Sequence, residues 1–161
     1  MKIAQIRKYD VANGPGIRTT IFVSGCTHSC KSCFNKEYQS FKYGNDYNKD
    51  VEDEIISYVK STNKLSVLGG EPMQQSLELA NLLKRVKEET DANIWMWTGY
   101  VFDKLKTEIQ KEILKHVDVL VDGPFIESKK DLTLKFRGSS NQRIIDVKKT
   151  LDSNKIHIME V

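Results

Sequence analysis

Lys64-Leu65-Ser66-Val67-Leu68-Gly69-Gly70-Glu71-Pro72 is the stretch that decides the fold. The short apolar run Leu65 to Leu68 predicts a strand, and the two glycines with Pro72 punctuate its end. Directly beyond, Leu79, Leu82, Leu83 and Val86 recur at helical spacing from about Ser76 to Thr90. Upstream, Val51, Ile55, Tyr58 and Val59 share one face of a helix over 50–61. The β-branched, aromatic run Ile17 to Val23 predicts a strand before it. The alternation continues with a strand at Ile94 to Thr98 and a helix whose apolar face carries Phe102, Leu105, Ile109 and Ile113. A strand follows at Val117 to Val121, then a mixed apolar and basic segment from Ile144 to Leu151, and a last short strand at Ile156 to Met159. Strands alternating with helices imply a mostly parallel sheet in one α/β domain spanning residues 1–161, with about six strands.

In such sheets ligands gather at the carboxyl ends of the strands. Four unusual segments fall there: the residues after Ser24-Gly25, then Gly69 to Pro72, Thr98-Gly99-Tyr100, and Asp122-Gly123-Pro124. They are expected to converge on one rim.

The 161 residues carry 25 Lys and Arg against 22 Asp and Glu, a net charge of +3. That balance argues against nucleic acid or membrane lipid as the main partner. The first residues contain no apolar stretch of the signal-peptide kind, and no run approaches the length of a membrane span. A cytoplasmic protein is the expectation. The three cysteines fall within eight residues, Cys26, Cys30 and Cys33. A secreted disulfide scaffold would have an even number spread along the chain.

The spacing C-x3-C-x2-C lets one loop wrap three soft thiolates around an inorganic centre. Iron–sulfur cubes usually take four cysteines, and no fourth exists here. A cube held by three would leave one iron open. The alternatives are a structural zinc completed by His28, a redox pair of Cys30 and Cys33, or three ordinary buried cysteines. The open cluster is favoured, because no second ligand couple is present and a redox pair leaves Cys26 unexplained.

The spacing resembles the signature of the radical S-adenosylmethionine (SAM) superfamily, and the flanks narrow it. Asn13-Gly14-Pro15-Gly16-Ile17-Arg18 is similar to the glycyl-radical-enzyme activases. Cys26-x-His28-x-Cys30 with Cys33-Phe34-Asn35, Asp122-Gly123-Pro124-Phe125 and Arg137-Gly138-Ser139-Ser140-Asn141-Gln142-Arg143 resemble the branch that acts on anaerobic ribonucleoside-triphosphate reductase. The resemblance implies a [4Fe–4S] cluster on Cys26, Cys30 and Cys33, with SAM chelated at the open iron. It implies reductive cleavage of SAM to methionine and a 5′-deoxyadenosyl radical, which takes hydrogen from a glycine Cα of the partner reductase. No general acid or base is then required. A low-potential donor such as a flavodoxin-type protein is the implied electron source. The implied fold is a partial, incomplete (β/α) barrel with an open side for a large protein substrate.

Gly69-Gly70-Glu71-Pro72 matches the superfamily's SAM-contacting motif, and Glu71 is read either as part of that site or as a group tuning it. Ser32 stands where many members carry an aromatic residue against adenine. Backbone around Ser32, Cys33 and Phe34 is the expected adenine wall, with Phe34 equally explicable by ordinary packing. Thr98 and Asp122 are candidates for contact with SAM or a cation, and the Arg137 to Arg143 run for gripping a carboxylate. His116 and His157 have bland structural explanations, and Trp95 and Trp97 are expected in the core or against a partner. The remaining alternatives are an activase of the formate-lyase type, a small iron–sulfur electron carrier and a zinc-stabilised binding module.

Overall fold

A computed structural model describes residues 1–30 and 33–161. Among the described residues, seven strands form one open sheet: β1 (Lys2–Asp10), β2 (Arg18–Val23), β3 (Asn45–Asp46), β4 (Lys64–Gly69), β5 (Asn93–Trp97), β6 (Val119–Asp122) and β7 (Arg143–Asp146). Their order is β3-β1-β2-β4-β5-β6-β7. The central strands β2, β4, β5 and β6 run parallel, whereas β1, β3 and β7 attach by antiparallel pairing. The sheet is therefore mixed rather than mostly parallel, and β3 and β7 leave it unclosed.

The helices that accompany it are α1 (Lys49–Thr62), α2 (Leu77–Glu89), α3 (Glu108–Leu114) and α4 (Val147–Ser153). Asn48 and Ser76 cap α1 and α2 by accepting the amides of Val51 and Glu78. Asn63, in the left-handed region at φ 57°, stops α1 and turns the chain straight into β4. The predicted helix over Phe102 to Ile113 is broken in two. A 3-10 turn at Phe102–Lys104 comes first, and a Thr107–Gln110 capping box then starts α3. Ile109, expected on the apolar face, is exposed.

Two strands differ from expectation at the chain's ends. β1 was not foreseen, because its pattern is polar and interrupted by register shifts between Ile3 and Gln5 and between Arg7 and Asp10. The predicted strand at Ile156 to Met159 reduces to a single bridge between Ile158 and Ile145.

The period of two sorts the strand residues between two cores. Ile21, Val23, Leu65, Val67, Ile94, Met96 and Leu120 join the helix residues Ile55, Val59, Leu79, Leu82, Leu83 and Ile113 in the main core. Trp95, Val119, Val121 and Ile144 form a smaller cluster, with Trp97, Phe136 and Met159 against it. The other face of the sheet thus carries no helix of the main core.

Polar anchors fasten the loop between β1 and β2. Arg18 is fully buried and donates to Ser66 Oγ, to the carbonyls of Pro15, Leu65 and Asn93, and to Asn93 Oδ1. Burial lowers its guanidinium to about 10, partly offset by Asp118. Asp10 accepts from the Ala12 amide, Asn13 Nδ2 and Thr20 Oγ1. Burial alone would raise the Asp10 carboxyl, but the bonds from Asn13, Thr20 and Ala12, with Arg7 nearby, hold it below its ordinary value. A depressed folded value means stability that is present above the ordinary Asp range and lost as pH falls through the folded one. Asp10→Asn should therefore cost about 1–2 kcal/mol near neutral pH. Urea titrations from pH 6 to pH 2 should show that gap closing with acid; a gap that stays constant would contradict the assignment.

Candidate cluster and cofactor site

The parallel strands end on one rim, as their order requires. β2 stops at Val23, and the next turns peel away through backbone bonds from Ser24 N to Lys2 O, Gly25 N to Tyr38 O and Cys26 N to Gln39 O. The chain then enters the cysteine loop. Cys26, Cys30 and Cys33 are free and partly buried, and the Cys33 amide closes a turn on the Cys30 carbonyl at 3.3 Å. A cavity of about 170 Å³ is lined by all three, by Gly69, Gly70 and Glu71 at the end of β4, by Thr98 and Gly99 after β5, and by Gly123 after β6. The sequence-predicted convergence of four segments is observed.

Burial pushes the Cys26 thiol up; the His28 amide counters this, while Glu71 and the other two thiols add to it. Cys30 is raised for the same first reason, with Cys33 adding and the Phe125 amide opposing. Raised in this way, the Cys26 and Cys30 thiols hold their protons more tightly, so loading a metal centre displaces protons. Among the described residues, no three His, Cys, Asp or Glu side chains crowd closely enough to hold a single metal ion. Three soft, free sulfurs facing one cavity fit a larger iron–sulfur centre better than a lone zinc ion.

The glycine loop packs first on its own chain. Gly69 has φ +139°, and Gly70 N and Glu71 N donate to the carbonyls of Val23 and Gly25 at 3.0 and 2.7 Å. Glu71 is 1% exposed. Its carboxylate accepts from the amides of Met73 and Gly99, from Thr98 Oγ1 and from His28 Nε2, at 2.6–2.8 Å. Asp122, equally buried, accepts both Nε and Nη2 of Arg143, at 3.0 and 2.6 Å, and the Phe102 amide. Thr98 and Asp122 are thus engaged within the protein, and Arg143 is the fixed cation beside the rim. That pairing was not foreseen for lack of any local signal, the two residues being 21 positions apart.

The rest of the Arg137 to Arg143 run folds back onto the turn after β6. Gln142 Nε2 donates to Gly123 O, Asn141 Nδ2 to Pro124 O, and Arg137 Nη1 to Gln142 O. Phe34 is exposed and stands edge-on to Phe125 at 5.0 Å between centroids. Ser32 lies outside the described residues. Trp97 Nε1 donates to Phe136 O at 2.7 Å, and Trp95 is buried beside both.

A second cavity of about 460 Å³ spreads over the other face of the sheet, between Arg7, Phe22, Leu68, Trp97, Phe136 and Arg137. It shares Phe34, Asn35, Leu68, Trp97, Phe125 and Gln142 with the first, so the two adjoin.

This arrangement, three free thiols and glycine turns at the strand ends of an α/β sheet, defines a class. Residues 12–145 match the family model described as a 4Fe-4S single cluster domain. A protein of Vibrio cholerae is 44% identical over 151 residues, covering 89% of this chain and 97% of its own length. One from Pasteurella multocida is 42% identical over 89% of this chain and 96% of its own, and one from phage T4 is 36% identical over 89% and 93%. All three bear the name anaerobic ribonucleoside-triphosphate reductase-activating protein, and the chain belongs to that family.

Proposed function

We propose that this chain activates an anaerobic ribonucleoside-triphosphate reductase by radical-SAM chemistry, and that residues 1–161 form one domain for that purpose. The observation carrying this reading is the single cavity shared by three free thiols and the glycine-rich ends of β4, β5 and β6. Cys26, Cys30 and Cys33 would hold a [4Fe–4S] cluster, leaving one iron for SAM. A reduced cluster held there would supply one electron to cleave SAM into methionine and a 5′-deoxyadenosyl radical, and that radical would take a hydrogen atom from a glycine Cα of the reductase.

The chain's own residues then do the positioning. The backbone of Gly69 and Gly70 orients the methionyl end, while Cys33 and Phe34 line the adenine side. Glu71 fixes the loop that carries these glycines. Leu68, Trp97, Phe125 and Phe136 give the adjoining cavity apolar walls, which keep water from a reactive carbon centre. Its opening across the sheet face suits a backbone segment of a protein substrate. The open sheet is read as the partial barrel of the superfamily, with the electrons coming from a low-potential, flavodoxin-type donor. A cytoplasmic location accords with chemistry that needs reduced thiols; no helix among the described residues is long and apolar enough to cross a membrane.

Anaerobic reconstitution with iron and sulfide tests this. The protein should turn brown and, with dithionite and SAM, release 5′-deoxyadenosine. A colourless zinc protein, or a brown one that leaves SAM intact, would overturn the reading.

A further inference from the structure

Glu71 is almost wholly buried, and its oxygens are fully subscribed. Oε2 accepts from Met73 N at 2.8 Å and Thr98 Oγ1 at 2.7 Å; Oε1 accepts from Gly99 N at 2.6 Å and faces His28 Nε2 at 2.6 Å. A carboxylate offers about four lone-pair sites, and all four are taken by the chain. The donors come from three places: the turn after β4, the end of β5 and the cysteine loop.

His28 is held as firmly from its other sides. Its ring stands edge-on to Tyr100, with centroids 4.7 Å apart at 73°. A Cβ at Gly99 would meet the ring, 2.8 Å from Cδ2, so the glycine there leaves room for the imidazole. An ionised carboxylate only accepts, so Nε2 is the donor in this bond and Nδ1 is the ring nitrogen left with a lone pair. Thr27, the preceding residue, is tied to the same turn: its amide donates to Gln74 Oε1 at 2.9 Å, and Gln74 Nε2 donates to Thr27 Oγ1 and Tyr100 Oη at 2.7 and 3.0 Å.

We propose that His28 and Glu71 are a positioning pair whose hydrogen bond sets the cysteine loop in register with the ends of β4 and β5. An inorganic centre held by the loop and a cofactor held by the strand ends then meet in one geometry. The inference rests on the SAM reading above and adds to it the residues that align its two halves. In this role His28 is a positioning residue and acts through the loop it fixes.

The test uses reconstituted full-length protein and two readouts besides turnover: the dissociation constant for SAM, and the change SAM produces in the electron paramagnetic resonance spectrum of the reduced cluster. His28→Ala should load iron and sulfide in wild-type ratio, since all three thiols remain. Its SAM affinity should fall about tenfold or more, the scale of a lost hydrogen bond to a charged group. His28→Gln, which can still donate, should recover most of that loss, and His28→Ala added to Glu71→Gln should cost little more than Glu71→Gln alone. Should Glu71→Gln fail to fold, the two His28 variants carry the test. Loss of iron in His28→Ala would make His28 a ligand and overturn the pair. So would wild-type SAM binding in His28→Ala, or additive losses in the double variant. A wild-type protein that loads its cluster but does not bind SAM would overturn the functional reading itself, and the pair's role with it.

Discussion

Cys30→Ala should lose the intact cluster and all detectable SAM cleavage while remaining a folded α/β protein. The expectation has two halves, and each follows from where the residue sits. Cys30 is only partly exposed, but it belongs to neither hydrophobic core, and its loop follows β2 rather than forming part of the sheet. Removing one sulfur there leaves no cavity in the main core, so the stability change should stay within about 1 kcal/mol. The chemistry is different. With three cysteines in the whole chain, two remaining thiolates cannot be supplemented by a third. Iron and sulfide content, the visible absorption band and the far-ultraviolet melting curve separate the two halves. A variant that retained cleavage would refute the ligand assignment, and one that unfolded would show that the loop braces the sheet.

Gly69→Ala should be the most damaging single change outside the cores. At φ +139° an L-residue is strained, and here the space is closed as well. A Cβ would overlap the carbonyl oxygen and amide nitrogen of Val23, which is backbone on the neighbouring strand and has nowhere to move. β2 and β4 are paired through Val23 and Gly69 themselves, and the next bond, Gly70 N to Val23 O, holds the glycine loop in place. Relieving the overlap must therefore pry the strand ends apart. A loss of about 3 kcal/mol or more is expected, equivalent to a melting temperature lower by roughly 10 °C for a chain of this size. Since the displaced segment lines the cavity with the thiols, SAM binding should fall even in the fraction that stays folded. A variant with unaltered melting and unaltered SAM affinity would contradict the account of this turn.

Much of this was legible in the sequence, and particular residues show where legibility stops. β2, β4, β5 and β6 are the central, largely buried strands and carry apolar, β-branched runs, and such runs announce themselves. Their ends, and hence the rim, followed from the same signal. β1 lies toward an edge of the sheet with a polar pattern broken by register shifts, so alternation could not reveal it. β7 has only Ile144 and Ile145 between Arg143 and Asp146, too little to separate it from the helix that follows. The sequence marks Gly69 and Gly70 as part of a SAM-contacting motif; the structure adds that they also leave room for the end of β2. The polar pairings were beyond reach. Nothing local links His28 to Glu71, 43 positions away, or Asp122 to Arg143, because tertiary folding alone brings their strand ends together.

The central claim is that this site generates a radical for a protein partner, and one spectrum tests it most directly. The reconstituted protein, dithionite and SAM are mixed anaerobically with an anaerobic ribonucleoside-triphosphate reductase and examined by electron paramagnetic resonance. The account predicts the doublet of a glycyl radical on the reductase, dependent on SAM and absent when a formate-lyase replaces it. No glycyl signal from a fully cluster-loaded protein that cleaves SAM, or a signal on the formate-lyase alone, would contradict it.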